Sequence, residues 1–478
     1  MSRRLAASAA LLALAVASGA SAQVQATGPR EARPDARLED VRAEKPAPSS
    51  ESCDGCPRRR PLVAIAEVFG VNLVYNLINQ VLPTEYSGDF SVSHDTWRSN
   101  IGHGFTWDND PFVINQFGHP YQGGNYFSAG RANGLTYWES IPLTALGSLT
   151  WEWFGESTHP AWNDVINTTM GGAAFGEVLH RIAWLVRNPH ESGRSRLWRE
   201  IGATVIDPIG GLNRFGWREA LRPGEKASTY QPTRAVAEVQ FGLSWPEGDL
   251  RVEGSSPKNM FGAFALDYGA PERGPTEAPF DAFTMAVRVG GGATVSAASI
   301  RGRLASRRLG GLDPLAHQLI VAQDYGYREA PGFLFGEQSV IGGLASRVEL
   351  RPGVSLSTTA FGGALVLGTI DSPAELQPDR AFDYGPGMTA SASAALTVRG
   401  TPVLGVEAGV WWMHTVTREP ATHLLSLVRV KGRVPIAAGI HVLVEGERVA
   451  RDSRVDGRSI KRDAYPELRA GLAWRFGY

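Results

Sequence analysis

The chain ends Glu467-Leu468-Arg469-Ala470-Gly471-Leu472-Ala473-Trp474-Arg475-Phe476-Gly477-Tyr478, and the reading of this stretch decides the fold. Leu468, Ala470, Leu472, Trp474, Phe476 and Tyr478 form one apolar row at period two, while the alternate positions are charged or small. Successive side chains of a strand point to opposite faces, so the segment has one apolar face and one polar or thin face. About ten residues is what a tilted strand needs to cross a bilayer. The three last aromatics stand where the aromatic girdle of a membrane barrel lies. The competing reading, a final edge strand of a soluble sandwich, leaves that apolar row without a covering element.

The same rhythm runs back to Arg234. Ala235, Ala237, Val239, Phe241, Leu243 and Trp245 alternate with Arg234, Glu238, Gln240, Gly242 and Ser244. Phe283 to Val289, Met388 to Val398, Leu404 to Trp412 and Ile436 to Val444 repeat the pattern. Strand-like segments also fit near 258–269, 294–306, 316–327, 338–350, 353–368 and 422–432, with turns at Gly290-Gly291-Gly292, Gly310-Gly311, Arg351-Pro352-Gly353 and Arg399-Gly400-Thr401-Pro402. The expectation is a mainly β protein whose residues 233–478 form an antiparallel outer-membrane β-barrel of about twelve strands. An α-helical plug or periplasmic-mouth domain precedes it. Open sheet edges are not satisfied in lipid, so the sheet must close.

Composition agrees. The chain holds 47 basic and 48 acidic residues, which implies no nucleic-acid partner. Only 20% of residues are charged and 55 are glycine, a load that suits closely packed strands. Residues 1–22 read as a signal peptide: Arg3 and Arg4, an apolar run from Leu5 to Val16, and Ala20-Ser21-Ala22 before Gln23. That puts the mature chain outside the cytoplasm, and with the barrel the expectation is the bacterial outer membrane, with outer-membrane lipid and the barrel-assembly machinery as partners. Residues 23–60, rich in Pro, Ala, Ser, Arg and Glu, read as a disordered periplasmic arm. Its Cys53 and Cys56 are expected to form a local disulfide in an oxidising compartment rather than a redox or zinc site.

Residues 61–232 read as a helical domain. Pro61 to Leu82 has apolar residues at Leu62, Ile65, Val68, Val71, Val74, Leu77, Ile78 and Val81 and a polar opposite side, which predicts an amphipathic packing helix rather than a lipid span. Tyr86 to about Gly118 reads as short strand and loop. Helical tracts follow at Asn125 to Ser140, at Leu143 to Glu156 after a break at Pro142, and at Trp162 to Val186 with an interruption at Gly171-Gly172. Residues 187–232 read as a looser connector.

The helical tract carries ionisable groups among apolar ones. Arg131 and Glu139, eight apart, are expected on one helix face; Ser148, Glu152 and Glu156 recur at intervals of four; Asp164 with Thr168 and Glu177 with Arg181 repeat that spacing. Buried charges need partners. The first explanation is a structural ion network. The second is a polar gate or pocket for a small-molecule or lipid ligand, with His119, Tyr126, Arg131, Glu139, Glu152, Glu156, Asp164, Glu177 and Arg181 as its residues. The third is acid–base hydrolysis, or lipid modification, by paired carboxylates or a carboxylate with His119 or His180. Binding outranks catalysis, and a purely structural barrel is a further alternative. Glu177-Val178-Leu179-His180 is a Glu-x-x-His, but a di-iron bundle uses two such motifs and two further glutamates; no metal or cofactor is expected. His317, His414, His423 and His441 fall in strands without a compelling serine nearby.

His119-Pro120-Tyr121, Asn125-Tyr126-Phe127, Ala129-Gly130-Arg131-Ala132-Asn133-Gly134, Trp138-Glu139-Ser140, Gly147-Ser148, Trp151-Glu152, Gly155-Glu156, Asn163-Asp164, Asn167-Thr168 and Gly176-Glu177 together resemble a bacterial family known as domain of unknown function 3943. The likeness spans about residues 90–187. It implies a secreted protein of the Gram-negative envelope and supplies no reaction.

Overall fold

The computed structural model describes residues 57–478 except 82–89, 189, 221–231, 233, 247–258, 270–275, 291–292, 310–314, 331–332, 373–380, 418–419, 456–457 and 478. The signal segment, the Cys53–Cys56 pair and most of the arm lie outside the described residues.

Twelve strands make the barrel: β1 (Ala235–Pro246), β2 (Asn259–Tyr268), β3 (Phe283–Gly290), β4 (Ala293–Leu309), β5 (Leu315–Ala330), β6 (Phe333–Arg351), β7 (Val354–Asp371), β8 (Phe382–Val398), β9 (Thr401–His414), β10 (Ala421–Ala437), β11 (Ile440–Val455) and β12 (Arg458–Gly477). Each pairs antiparallel with its neighbour in sequence. β1 pairs with β12 from Val236 opposite Gly477 to Pro246 opposite Glu467, which closes the sheet. Leu468, Leu472 and Trp474 on β12, Phe241, Leu243 and Trp245 on β1, and Val442 and Val444 on β11 are exposed, while Glu238, Gln240, Arg469 and Glu445 between them are buried. The period-two pattern is therefore apolar outside and polar inside, as a bilayer-spanning barrel requires. A row of paired residues that starts at Tyr268, the last residue of β2, passes Phe283, Gly302, Gln323, Val340, Ala364, Met388, Trp412 and Leu424. It reaches Asp452, close to the opposite end of β11. That drift is the stagger of tilted strands in a closed barrel.

Eight helices lie among the described residues before the barrel: α1 (Pro61–Val81), α2 (His94–His103), α3 (His119–Ala132), α4 (Tyr137–Phe154), α5 (Trp162–Ile166), α6 (Gly172–Val186), α7 (Gly193–Ile206) and α8 (Pro208–Gly216). Three expectations change. The segment after Tyr86 holds α2, opened by a Ser93–Thr96 capping box, and only one isolated bridge, Thr106 to Ala161. The connector after 187 holds α7 and α8, the latter started by Asp207 as N-cap with Pro208 at the first position. The break near Ser140 lies instead at Asn133–Thr136, where Gly134 takes a positive φ of 73° and Thr136 opens α4 with a capping box to Glu139; Pro142 sits inside that helix. The expected interruption at Gly171-Gly172 is present as a π-helical turn, Asn167–Gly171, before α6.

The helices lie against the outer face of the wall, not in the lumen or across a mouth. On β5, Leu319 and Val321 are exposed and point outward, so alternation puts Gln323, Tyr325 and Tyr327 on the same face. On β6, exposed Val340 and Leu344 place Gly336 and Gln338 outward as well. These are the residues that the helical unit touches. Tyr325 donates to the Gln116 carbonyl at 2.5 Å, Tyr137 to Gln323 Oε1 at 2.6 Å, Gln323 Nε2 to the Met170 carbonyl at 2.7 Å, and Gln338 Nε2 to Asn167 Oδ1 at 3.3 Å. Outward Phe264, Leu266, Met285, Ile300, Leu367 and Tyr384 join Phe127, Phe175, Val178 and Ile182 of the helices in one apolar cluster. A Cβ on outward Gly336 would come within 2.2 Å of Gln116 Oε1, so the absence of a side chain admits the helices there. Outward Gln323, Tyr325 and Gln338 are polar groups of the wall that the helices cover. Tyr325→Phe is expected to weaken this docking by about 1 kcal/mol. Limited proteolysis should read that as faster cleavage between helices and barrel, with heat-modifiable migration of the barrel unchanged.

Candidate functional site

α3 and α6 run side by side because glycines let their backbones meet: a Cβ at Gly123 would lie 2.0 Å from the Thr168 carbonyl oxygen, and one at Gly172 2.5 Å from Gly123. This close approach brings Arg131 of α3 to Glu177 of α6. Arg131 Nε donates to Glu177 Oε2 at 2.7 Å and Arg181 Nε to Glu177 Oε1 at 2.7 Å; Arg181 also donates to the Pro279 carbonyl at 2.9 Å, tying the bundle to the barrel. Burial pushes the Glu177 carboxyl up, but the two guanidinium groups outweigh it and hold it below its usual range. Both oxygens are committed to arginine, so the Glu-x-x-His offers no metal ligand pair. His180 instead accepts from Trp184 Nε1 through Nε2 at 3.2 Å, and an indole only donates, so its Nδ1–H points to Asp207 Oδ2 at 2.9 Å.

A second cluster gathers carboxylates. Asp108 Oδ1 accepts from Asn115 and Asn163, each at 2.8 Å; Asn163 also donates to Asp164 Oδ1 at 2.9 Å; His119 Nε2 stands 3.5 Å from Asp164 Oδ1. Glu152 Oε2 accepts from the Ala161 N–H at 2.8 Å, and its Oε1 has no hydrogen-bond partner among the described residues. Burial, reinforced by Asp108 and Asp110, raises Glu152 to about 8. Burial first, and neighbouring carboxylates second, lift Glu156 and Asp164 well above the ordinary range. Burial also lowers His119 to about 4, against the pull of Asp108. At neutral pH Glu152 is thus favoured as the protonated acid and the His119 imidazole is neutral, with Glu156 and Asp164 shifted the same way as Glu152. Among the described residues, no group of three or more His, Cys, Asp or Glu is arranged to hold a metal ion.

Two candidates stand apart. Glu139 is separated from Arg131 by the turn at Gly134 and pairs with Arg59 at 2.7 Å on the surface. Tyr126 is fully buried, accepts from Gln122 at 2.6 Å and donates to Asn72, so it ties α3 to α1. Asp108, Asn115 and Asp207 escaped the sequence reading because their partners lie on other elements. The one readable signal was the Asp-Pro pair that opens α8.

The lumen carries a third constellation. Arg429 meets Glu407 at 2.9 Å and Glu447 at 2.6 Å, Lys431 meets Glu445 at 2.9 Å, and Arg469 meets Glu445 and Glu447 at 3.1 Å. Beside them lies a cavity of about 220 Å³, walled also by Trp411 and Phe335. Toward the end opposite Ala235, Leu365, Ile370, Met413, Leu425 and Val449 fill the interior. A polar latch adjoins them: Arg451 donates to Asp371 at 2.8 Å and to Ser453 at 2.7 Å, and His423 bridges Ser453 at 2.8 Å and Asp383 at 3.1 Å. The barrel register therefore does bring a serine to His423, contrary to the sequence reading. All three groups of this Ser–His–Asp set are essentially without solvent exposure, and Arg451 occupies the serine oxygen. It is a brace rather than a nucleophile.

Residues 104–209 match the DUF3943 family, a domain of unknown function. The DUF3943 segment contains both polar clusters of the helices and ends inside α8. No curated protein matches the chain at a significant level. Similar solved structures include the KdgM porin (9% identity, 50% of this chain, 99% of that chain, TM-score 0.23). Two others are the Pseudomonas putida toluene transporter TodX (8%, 52% and 90%, 0.21) and the Acinetobacter baumannii outer membrane protein Omp33 (11%, 52% and 100%, 0.21).

Glu177→Gln leaves two buried arginines underpaired and is expected to cost about 3–5 kcal/mol, seen as loss of the folded helical unit by near-UV circular dichroism. Exposed Glu139→Gln should stay near wild type. The folded pKa of Glu152 lies above its unfolded value, so this group loses stability as pH rises from about 4.3 to about 8. Glu152→Gln should flatten that slope, gaining on the wild type in thermal melts at about pH 8 relative to about pH 5.

Proposed function

We propose that this protein is an outer-membrane β-barrel that binds a small solute bearing charge in its lumen, under a closure that must open for the solute to pass. The observation that carries this reading is the cavity of about 220 Å³, lined by Arg429, Arg469, Glu407 and Glu445 together with Trp411 and Phe335. Such a lining offers both signs of charge and an aromatic face, which suits a compact zwitterion or sugar acid rather than a hydrocarbon. The polar gate that the sequence suggested in the helices moves, in this reading, to the wall itself. The Arg451–Asp371 latch and the apolar side chains beside it close the far end of the lumen. The helical clusters then serve as the packing core of the DUF3943 segment, because Arg131, Arg181 and Glu177 satisfy one another.

A second reading keeps the carboxylate cluster as an acid–base site, favoured by a neutral His119 3.5 Å from Asp164 and by a Glu152 Oε1 without a hydrogen-bond partner among the described residues. The two readings separate in planar bilayers. Wild-type protein should show low conductance, Arg451→Ala should raise it while the barrel stays heat-modifiable, and added zwitterionic solute should block the opened variant. An Arg451→Ala barrel that folds but conducts no better than wild type would remove the luminal reading. Hydrolysis of labelled lipid or peptidoglycan fragments, lost in His119→Asn, would favour the second.

A further inference from the structure

Helix α1 is built the wrong way round for a protein surrounded by water. Its polar side chains face the bundle. Glu67 accepts from Asn133 at 2.8 Å and Asn213 at 3.0 Å, and Asn72 donates to Thr150 at 2.9 Å. Tyr75 accepts from Asn125 at 3.1 Å, and Asn76 donates to the Gly155 carbonyl at 2.9 Å. Apart from Ala64, Val68 and Val71, which are buried in the bundle, its large apolar side chains point outward: Leu62, Phe69, Leu73, Leu77, Ile78 and Val81 are exposed, Leu73 to 60% and Val81 to 77%. Soluble surface helices show the opposite arrangement. The helix is 21 residues long, about 31 Å at 1.5 Å per residue, against a hydrocarbon layer of about 30 Å.

The bundle to which α1 belongs is docked on the outer face of the wall, beside residues that face lipid. Gln323, under the helices, is paired across the strands with Val340, which is bare and points outward. The covered patch and the lipid-facing patch are one surface at one height. We propose that the outer stripe of α1 contacts the acyl chains of the bilayer that surrounds the barrel, so that the helical unit is a membrane-embedded annex to the outside of the wall. The occupant is hydrocarbon because the stripe carries no charged residue and the one acidic or basic side chain of the helix, Glu67, turns away from it. This inference rests on the membrane-barrel reading and adds the place of the helices.

The test places single nitroxide labels at Leu73, at Leu77 and, as barrel reference, at Val442, in full-length protein with Cys53 and Cys56 replaced by Ala, reconstituted in phosphatidylcholine vesicles. Oxygen and a water-soluble nickel chelate compete as relaxing agents. The expected result is loss of nickel collisions at Leu73 and Leu77 with oxygen collisions matching Val442. Nickel access at Leu73 and Leu77, with Val442 still in lipid, would overturn the annex alone. Shielding of α1 from both agents would overturn it too, in favour of a second copy covering the stripe. Nickel access at Val442 would sink the membrane barrel itself.

Discussion

The pairing of β1 with β12 is the constraint on which the remaining structure depends. A twelve-stranded sheet has two edges, and unpaired N–H and C=O groups in hydrocarbon have nothing to bond. The run from Val236–Gly477 to Pro246–Glu467 removes both edges at once. Closure then sorts every strand residue into an inner or an outer class, and a side chain cannot change class without a bulge. Charge goes inward, where Arg429, Arg469, Glu445 and Glu447 neutralise one another, and aliphatic residues go outward. Among the described residues a lumen so lined holds the cavity of about 220 Å³ beside these ion pairs.

The same sorting explains the helices. Outward-facing Gln323, Gln338 and Tyr325 break the apolar rows of β5 and β6, and amide groups in bare hydrocarbon are costly. Each finds its partner in the helical unit. The bundle in turn turns polar residues toward its own centre, with glycines at 123, 172 and 176 drawing α3 against α6. Wall and bundle are therefore two halves of one polar accounting, solved at their contact.

The barrel was legible because a period of two is a local signal, repeated strand after strand; Phe241, Leu243 and Trp245 declare their face without knowledge of their partners. The candidate site was legible in part. Glu177 with Arg181 lies one turn apart on a single helix, and Glu152 is buried as its apolar neighbours suggest. Arg131 and Glu139 share a face only on an unbroken helix, and Gly134 at positive φ divides it. His423 with Ser453, and His180 with Asp207, required register or tertiary packing that spacing does not carry. The placement of the helices did leave a trace: glutamine at outward positions of otherwise greasy strands. With the helices expected in the lumen or across the periplasmic mouth, those outward glutamines point to no partner.

Order of synthesis gives that trace a temporal meaning. The residues that cover the wall leave the ribosome before the wall does, since 61–216 precede 235 in the chain. Strands β5 and β6 emerge with the Gln323 and Gln338 amides on their outer face, and the helical groups that pair with them, Tyr137, Met170 and Asn167, are already made. A wall folded ahead of the helical unit would leave Gln323, Gln338 and Tyr325 without those partners.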